Sequence, residues 1–278
     1  MTETAIPRPA GWQARQPGRA GDDPAARQTG RRALDGAVWR LRSRGCWDDA
    51  AALLEPLATG DATAALLRAE LLVERCMYTS SGWGRAEEAL RAAESLSRSD
   101  EERGAAACER GYLAYASTLL RVRDRADEAR AALGRAAALL PPSSPARPLL
   151  DLRRGLMAEH VSGTPQAAGA AYQRAHDGAL ASGDVLLASY TWRHLAALAL
   201  REGETGQARH GFAESLRLRE DAGYLVGIAP ALVALAEAVP AEEATRLRAE
   251  AARLYRLLDG VPRWLGAQLA DRERPDGD

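Results

Sequence analysis

Lysine and asparagine are absent from this chain, isoleucine occurs only at Ile6 and Ile228, and phenylalanine only at Phe212. Every basic side chain is therefore arginine, and a Walker-type G-x-x-x-x-G-K-[ST] phosphate loop is impossible. The residues with AT-rich codons are the missing ones, which points to GC-rich coding and makes arginine content by itself a weak guide to function. Cysteine is scarce: Cys46, Cys76 and Cys108 are an odd number with no C-x-x-C pair. That pattern fits neither a disulfide framework nor a zinc finger, and the three read as reduced, small core residues. Long apolar runs are lacking too. The N-terminus has no stretch of signal-peptide length, and no segment reaches the ~18 uncharged apolar residues of a membrane span. The expectation is a soluble, cytoplasmic protein. Neither sign of charge is in excess, with 37 basic against 38 acidic residues and net charge −1. No overall field draws in nucleic acid or an anionic membrane.

What is present is alanine, leucine and arginine, three strong helix formers, in a chain of 278 residues with 46% hydrophobic content and 5% aromatics. The composition predicts an all-α fold with a sizeable core. The chain also repeats. A turn, then an acidic or small residue, then an alanine opening an amphipathic helix recurs at Ala50, Ala89, Ala129, Ala168, Ala208 and, more weakly, Ala244, with spacings of 39, 40, 39, 40 and 36 residues. Gly45, Gly84, Gly163 and Gly203 stand five residues upstream of four of these alanines. A glycine that can take positive φ between two helices, followed by a small residue allowing close approach, describes a helix hairpin. Leu54, Leu133, Tyr172 and Phe212 follow four residues after their alanines, on the same helix face.

Boundary signals share this phase. Asp61 can cap a helix, Ser99 with Glu102 forms an S-x-x-E capping box, Thr164-Pro165 reads as a cap followed by proline at the first helical position, and Asp184 follows Gly183. The reading is helix pairs at 32–58, 62–98, 100–140, 147–182, 185–222 and 226–258, with a short terminal helix near 262–270. Residues 1–30, rich in proline, glycine and arginine, are expected to be a disordered tail, 31–270 the repeat domain, and 271–278 a second disordered tail.

These units resemble the tetratricopeptide repeat. Residues 189–222 carry the family's pattern best, with Trp192, Leu195, Ala196, Gly203, Ala208 and Phe212, and Ser215 in place of the last alanine. The stretch Ala208 to Leu232 also resembles the longer repeats found C-terminally in large ATP-dependent bacterial transcriptional activators, whose ATPase and DNA-binding domains are missing here. The period near 40 exceeds the family's 34 and touches the range of HEAT and armadillo units. The glycine-to-alanine turn phrase favours the tetratricopeptide reading. The resemblance implies a right-handed α-solenoid, or superhelix, of about six antiparallel helix pairs.

No H-E-x-x-H, G-x-S-x-G, G-x-G-x-x-G or zinc spacing occurs, so no motif supports an enzyme. His160 and His194 fall on first helices of their pairs while His176 and His210 fall on second helices, so all four are read as surface or edge residues and no metal site is expected. Lone Gly82-Trp83-Gly84 reads as a turn. The paired carboxylates Asp48-Asp49, Glu87-Glu88, Asp127-Glu128 and Glu242-Glu243 recur at one repeat phase, in the opening turns of second helices, where they favour the helix macrodipole.

The resemblance places ligands in the concave groove lined by first helices. Carried over by repeat position, it selects Trp39 and Arg42 in the first unit and Tyr115, Thr118 and Arg121 in the third. It selects Arg153, Arg154, Met157 and His160 in the fourth, and Tyr190, Arg193, His194 and Arg201 in the fifth. The second unit is out of phase and is not assigned. This set is basic and aromatic, without acidic residues, and an arginine fork pairs well with carboxylate. The expected function is therefore a non-catalytic protein–protein interaction module, without cofactor, that captures a partner protein or an acidic peptide segment. The alternative is a regulatory sensor whose solenoid binds a small molecule or signalling peptide and modulates a transcription factor or kinase. The family's clamp for chaperone tails uses lysine and asparagine, both absent.

Overall fold

A computed structural model describes residues 24–270, and the parts of the two expected tails at 1–23 and 271–278 lie outside the described residues. Thirteen helices follow one another without a strand among the described residues: α1 Pro24–Arg42, α2 Trp47–Leu54, α3 Ala62–Thr79, α4 Trp83–Leu96, α5 Asp100–Leu119, α6 Ala126–Leu139, α7 Arg147–His160, α8 Pro165–Ser182, α9 Val185–Arg201, α10 Thr205–Asp221, α11 Leu225–Leu235, α12 Ala241–Leu257 and α13 Arg263–Ala270. Helix α1 starts eight residues ahead of the expected 32, because Ala25, Ala26, Arg27 and Gln28 after Pro24 are good helix formers. Contacts divide the chain into Met1–Ala37 and Val38–Asp278. Everything below belongs to the second unit.

From α3 to α12, odd- and even-numbered helices pack as consecutive pairs, and each pair also packs on the next, as in a helical solenoid. The hairpins form as the repeat phrase predicts. Gly45, Gly163 and Gly203 have φ of 81°, 64° and 84°. Gly84 does not take this role; it lies inside α4, and Gly82 with φ of 83° makes the turn. In the third pair, where glycine is missing, Arg121 adopts φ of 55°. The six anchoring alanines are all buried, at 3% exposure or less. Around them the even helices present small faces, such as Ala129, Ala132 and Ala136 on α6, so the odd helices approach closely. At Gly155 the approach is complete, since an added Cβ would stand 2.4 Å from the Tyr172 ring.

Caps fix the register. Asp61 accepts from the Thr63 and Ala64 amides, Ser99 and Glu102 make both halves of the capping box, and Asp184 accepts from the Leu187 amide. Thr164 makes no such cap; its hydroxyl donates to the Ala158 carbonyl instead, and Pro165 alone marks the start of α8. Within the second unit the array returns on itself. The Val226 amide donates to the Ser43 carbonyl at 2.9 Å, the Trp39 indole donates to the Ala222 carbonyl at 3.3 Å, and α13 packs on α3. Among the described residues, no helix is long and apolar enough to cross a membrane.

Candidate ligand-binding site

Because successive pairs stack in register, side chains at i, i+3 and i+4 on the odd helices point to one interior. They line a cavity of about 430 Å³. Helix α3 contributes Glu70, Glu74, Met77 and Tyr78; α5 contributes Glu109, Tyr112, Tyr115 and Leu119; α7 contributes Leu149, Leu152, Arg153, Leu156 and His160; α9 contributes Tyr190, Arg193 and His194. Arg42, Arg219, Pro230 and the α13 residues Trp264 and Gln268 complete the wall. Arg193, Pro230, Trp264 and Gln268 also line a neighbouring cavity of about 420 Å³ bounded by Val233, Glu237 and Arg248.

Most of the charge in this wall is internally neutralised. Arg153 pairs with Glu109, reaches the Cys108 sulfur at 3.2 Å and lies over the Tyr112 ring at 4.7 Å. Arg42 pairs with Glu74 at 2.6 Å, and the same carboxylate accepts from the Tyr224 hydroxyl at 2.6 Å. The Tyr78 and Tyr190 hydroxyls each lie 3.1 Å from that of Tyr224, whose ring stacks on Trp39. Arg219 donates to the Gly227 carbonyl at 2.7 Å and covers Tyr190. Buried charges held this way act as rigid walls, since breaking one partner leaves the other uncompensated.

Two charged groups stand apart. Arg193 and Glu70 line the cavity yet make no hydrogen bond or ion pair with any described residue. Burial, then the nearby Arg219 charge, lowers the Arg193 pKa below the usual guanidinium range, although the group stays cationic at neutral pH. Burial, reinforced by Glu109, pushes the Glu70 carboxyl up to about 7. The cavity therefore offers one unsatisfied cation, one weakly acidic carboxyl and a largely apolar and aromatic surface.

A second cluster sits beside it. Glu159 accepts from Arg201 and from the Tyr172 hydroxyl, both at 2.5 Å, and its Oε2 lies 3.3 Å from His194 Nδ1 and 3.7 Å from His160 Nε2. His160 Nδ1 is 2.7 Å from the Tyr115 hydroxyl, and the His194 ring stacks on Tyr172. Burial pushes the His194 imidazole down to about 4 and lowers that of His160 as well, so both rings are neutral at pH 7.

Of the expected groove residues, the structure brings Arg42, Tyr115, Arg153, His160, Tyr190, Arg193 and His194 to the cavity. Trp39 seals the seam to Tyr224, Met157 is buried in the core, and Arg154 points to solvent. Arg121 occupies the exposed turn, and Arg201 reaches Glu159 from the surface. Three expectations are corrected. The lining is not free of acidic residues, because Glu70 and Glu74 come from the second pair, which the repeat pattern left unassigned, and Glu109 from the third. Glutamates four apart within L-L-R-A-E-L-L-V-E-R were the available signal. His176 and His194 are not surface residues; they are 6% and 9% exposed, packed on Thr191 and Tyr172 from adjoining helices. Glu87 and Glu88 do not lie in the opening turn of α4, which has no acidic residue; instead Arg110 and Arg125 both grip Glu87 at 2.6 Å and tie α4 to the third pair. The three cysteines are free, with Cys76 and Cys108 buried as expected. No protein family matches the sequence, and no curated protein aligns with it.

Proposed function

We propose that this helical-repeat protein is a ligand-responsive regulatory module that binds a small amphipathic anion in its interior cavity and transmits occupancy to a protein partner through the packing of its helix pairs. The observation that carries this reading is the unpartnered Arg193 facing a mainly apolar cavity of about 430 Å³. A half-buried guanidinium without an ion pair, set in a largely apolar wall, is poorly compensated in the empty protein and is satisfied when a carboxylate or phosphate sits against it. The leucines of α7 and the rings of Tyr112, Tyr115 and Trp264 then cover an apolar body. The contacts joining Ser43 and Trp39 to the α10–α11 turn enclose this interior. Such enclosure favours a small ligand over an extended partner segment threaded through an open groove. Kinship with tetratricopeptide-type regulators in the bacterial cytoplasm belongs to the same proposal, supported by the hairpin phrase and the paired helices.

Titration calorimetry with octanoate and with octylammonium, equal in length and opposite in charge, tests the reading. Octanoate should bind and octylammonium should not, and Arg193→Gln should weaken octanoate by about 10- to 100-fold. Equal binding of the two amphiphiles, or an unchanged octanoate affinity in the variant, overturns it.

A further inference from the structure

The Glu159, His160 and His194 cluster has the arrangement of ligands waiting for a cation. One ligand atom from each residue lies within 4.8 Å of the other two, on adjacent first helices α7 and α9. Three donors around a metal at ordinary bond lengths of about 2.0–2.2 Å stand roughly 3–4 Å apart, so the separations of 3.3 Å and 3.7 Å from Glu159 Oε2 already match. We propose that Glu159 Oε2, His160 Nε2 and His194 Nδ1 form a binding site for one divalent transition-metal ion of the zinc class, whose remaining coordination position opens on the cavity.

Two further observations point the same way. His194 Nδ1 is shielded from solvent in a residue only 9% exposed, and it makes no well-formed hydrogen bond, with the Glu159 carboxylate 3.3 Å away. An orphaned buried nitrogen aimed at a carboxylate is unfavourable in the apo protein and is satisfied by a metal at that point. The outer contacts are those a metal site requires. His160 Nδ1 and the Tyr115 hydroxyl stand 2.7 Å apart, and the tautomer in which Nδ1–H donates to that oxygen leaves the Nε2 lone pair free for a metal, while Arg201 and Tyr172 fix the Glu159 carboxylate. Two imidazoles and one carboxylate with an open position are a donor set for zinc or ferrous iron rather than magnesium or calcium.

The opposing effect is electrostatic, for Arg201 is bonded to Glu159 and Arg193 also acts on His160. A dication beside these guanidiniums needs an anion to complete its shell, and the cavity is the direction from which one can come. The metal site and the anion site thus reinforce each other, although the metal test below does not depend on the anion.

The test is titration of the full chain with cobalt(II), followed by competition with zinc(II). The expected result is one bound cobalt per chain with visible d–d absorption and no thiolate charge-transfer band, displaced by zinc. His160→Ala, at a half-exposed side chain whose loss leaves the core packed, should lower affinity at least about 10-fold with unchanged circular dichroism. Tyr115→Phe, which keeps the ring and removes only the hydroxyl behind His160, should lower it by about 10- to 100-fold. Absence of the visible bands, a thiolate signature from the cysteines, or equal cobalt affinity in wild type and His160→Ala overturns the proposal.

Discussion

On the outer, even-numbered helices, arginine and glutamate pair across one turn in solvent, as in Arg246 with Glu242 and Arg253 with Glu250. On the inner, odd-numbered helices the same two residue types pair across different helices with almost no solvent, as in Arg153 with Glu109, whose side chains are 8% and 1% exposed. The chemistry is shared, and the surroundings decide its consequence. An outer pair competes with water and adds little, whereas an inner pair lacks water on either side and locks two helices in register. The interior can therefore carry two unpaired charges, Arg193 and Glu70, only because the rest of its charge is held so firmly.

The largest effect that could break this contrast is at Arg153. Replacing it with alanine leaves the Glu109 carboxylate buried and uncompensated, and urea unfolding should show a loss of about 3–5 kcal/mol. A double replacement, Arg153→Met with Glu109→Leu, should recover most of that loss, because removing both charges removes the desolvation penalty along with the attraction. If the single variant loses less than about 1 kcal/mol, the inner pair behaves like an outer one and the distinction collapses.

Glu70 sharpens the contrast through pH. Its carboxyl titrates at about 7 in the folded protein against an ordinary value of 4.5, chiefly through burial and then through Glu109. A raised pKa means that the folded state holds the proton more tightly than the unfolded chain does. The resulting stabilisation is fully present below about pH 4.5, declines as pH rises, and is gone above about 7, with a span on the order of 3 kcal/mol. Glu70→Gln should flatten this part of the stability profile between pH 5 and 8. A profile identical to that of the wild type would mean that the cavity is wet enough to solvate the charge.

Much of the fold was legible because the hairpin signals are local. The glycine turn, the capping box at Ser99 and the alanine stripe each depend on residues within one turn of one another, and, apart from the early start of α1, they place the helix pairs to within a few residues. The site was legible only where helix phase was right. Arg153 and Arg154 are neighbours in sequence, but about 100° of helix rotation sends one to the cavity and the other to solvent. The second pair, read as out of phase and given no groove residues, is the one that supplies Glu70 and Glu74. The burial of His194 depends on Tyr172 from α8, and the return of Trp39 and Ser43 to the α10–α11 turn joins residues about 180 apart. No periodicity in the sequence encodes contacts of that range.

The smallest expected effect closes the comparison from the outer side. Arg246 and Glu242 stand four residues apart on α12, 2.5 Å from each other, with side chains 76% and 82% exposed. Glutamate preceding arginine by four is the favourable order on a helix, yet water and salt screen the attraction and both long side chains lose rotamer freedom to keep it. Arg246→Ala should lower stability by about 0.3–0.5 kcal/mol, a shift of about 1–2 °C in the melting midpoint, and the difference from wild type should vanish at 1 M salt, where the screening length falls to about 3 Å. A loss above about 1 kcal/mol that persists at high salt would show that this pair does more than meet across solvent, and burial would no longer be what separates the two layers.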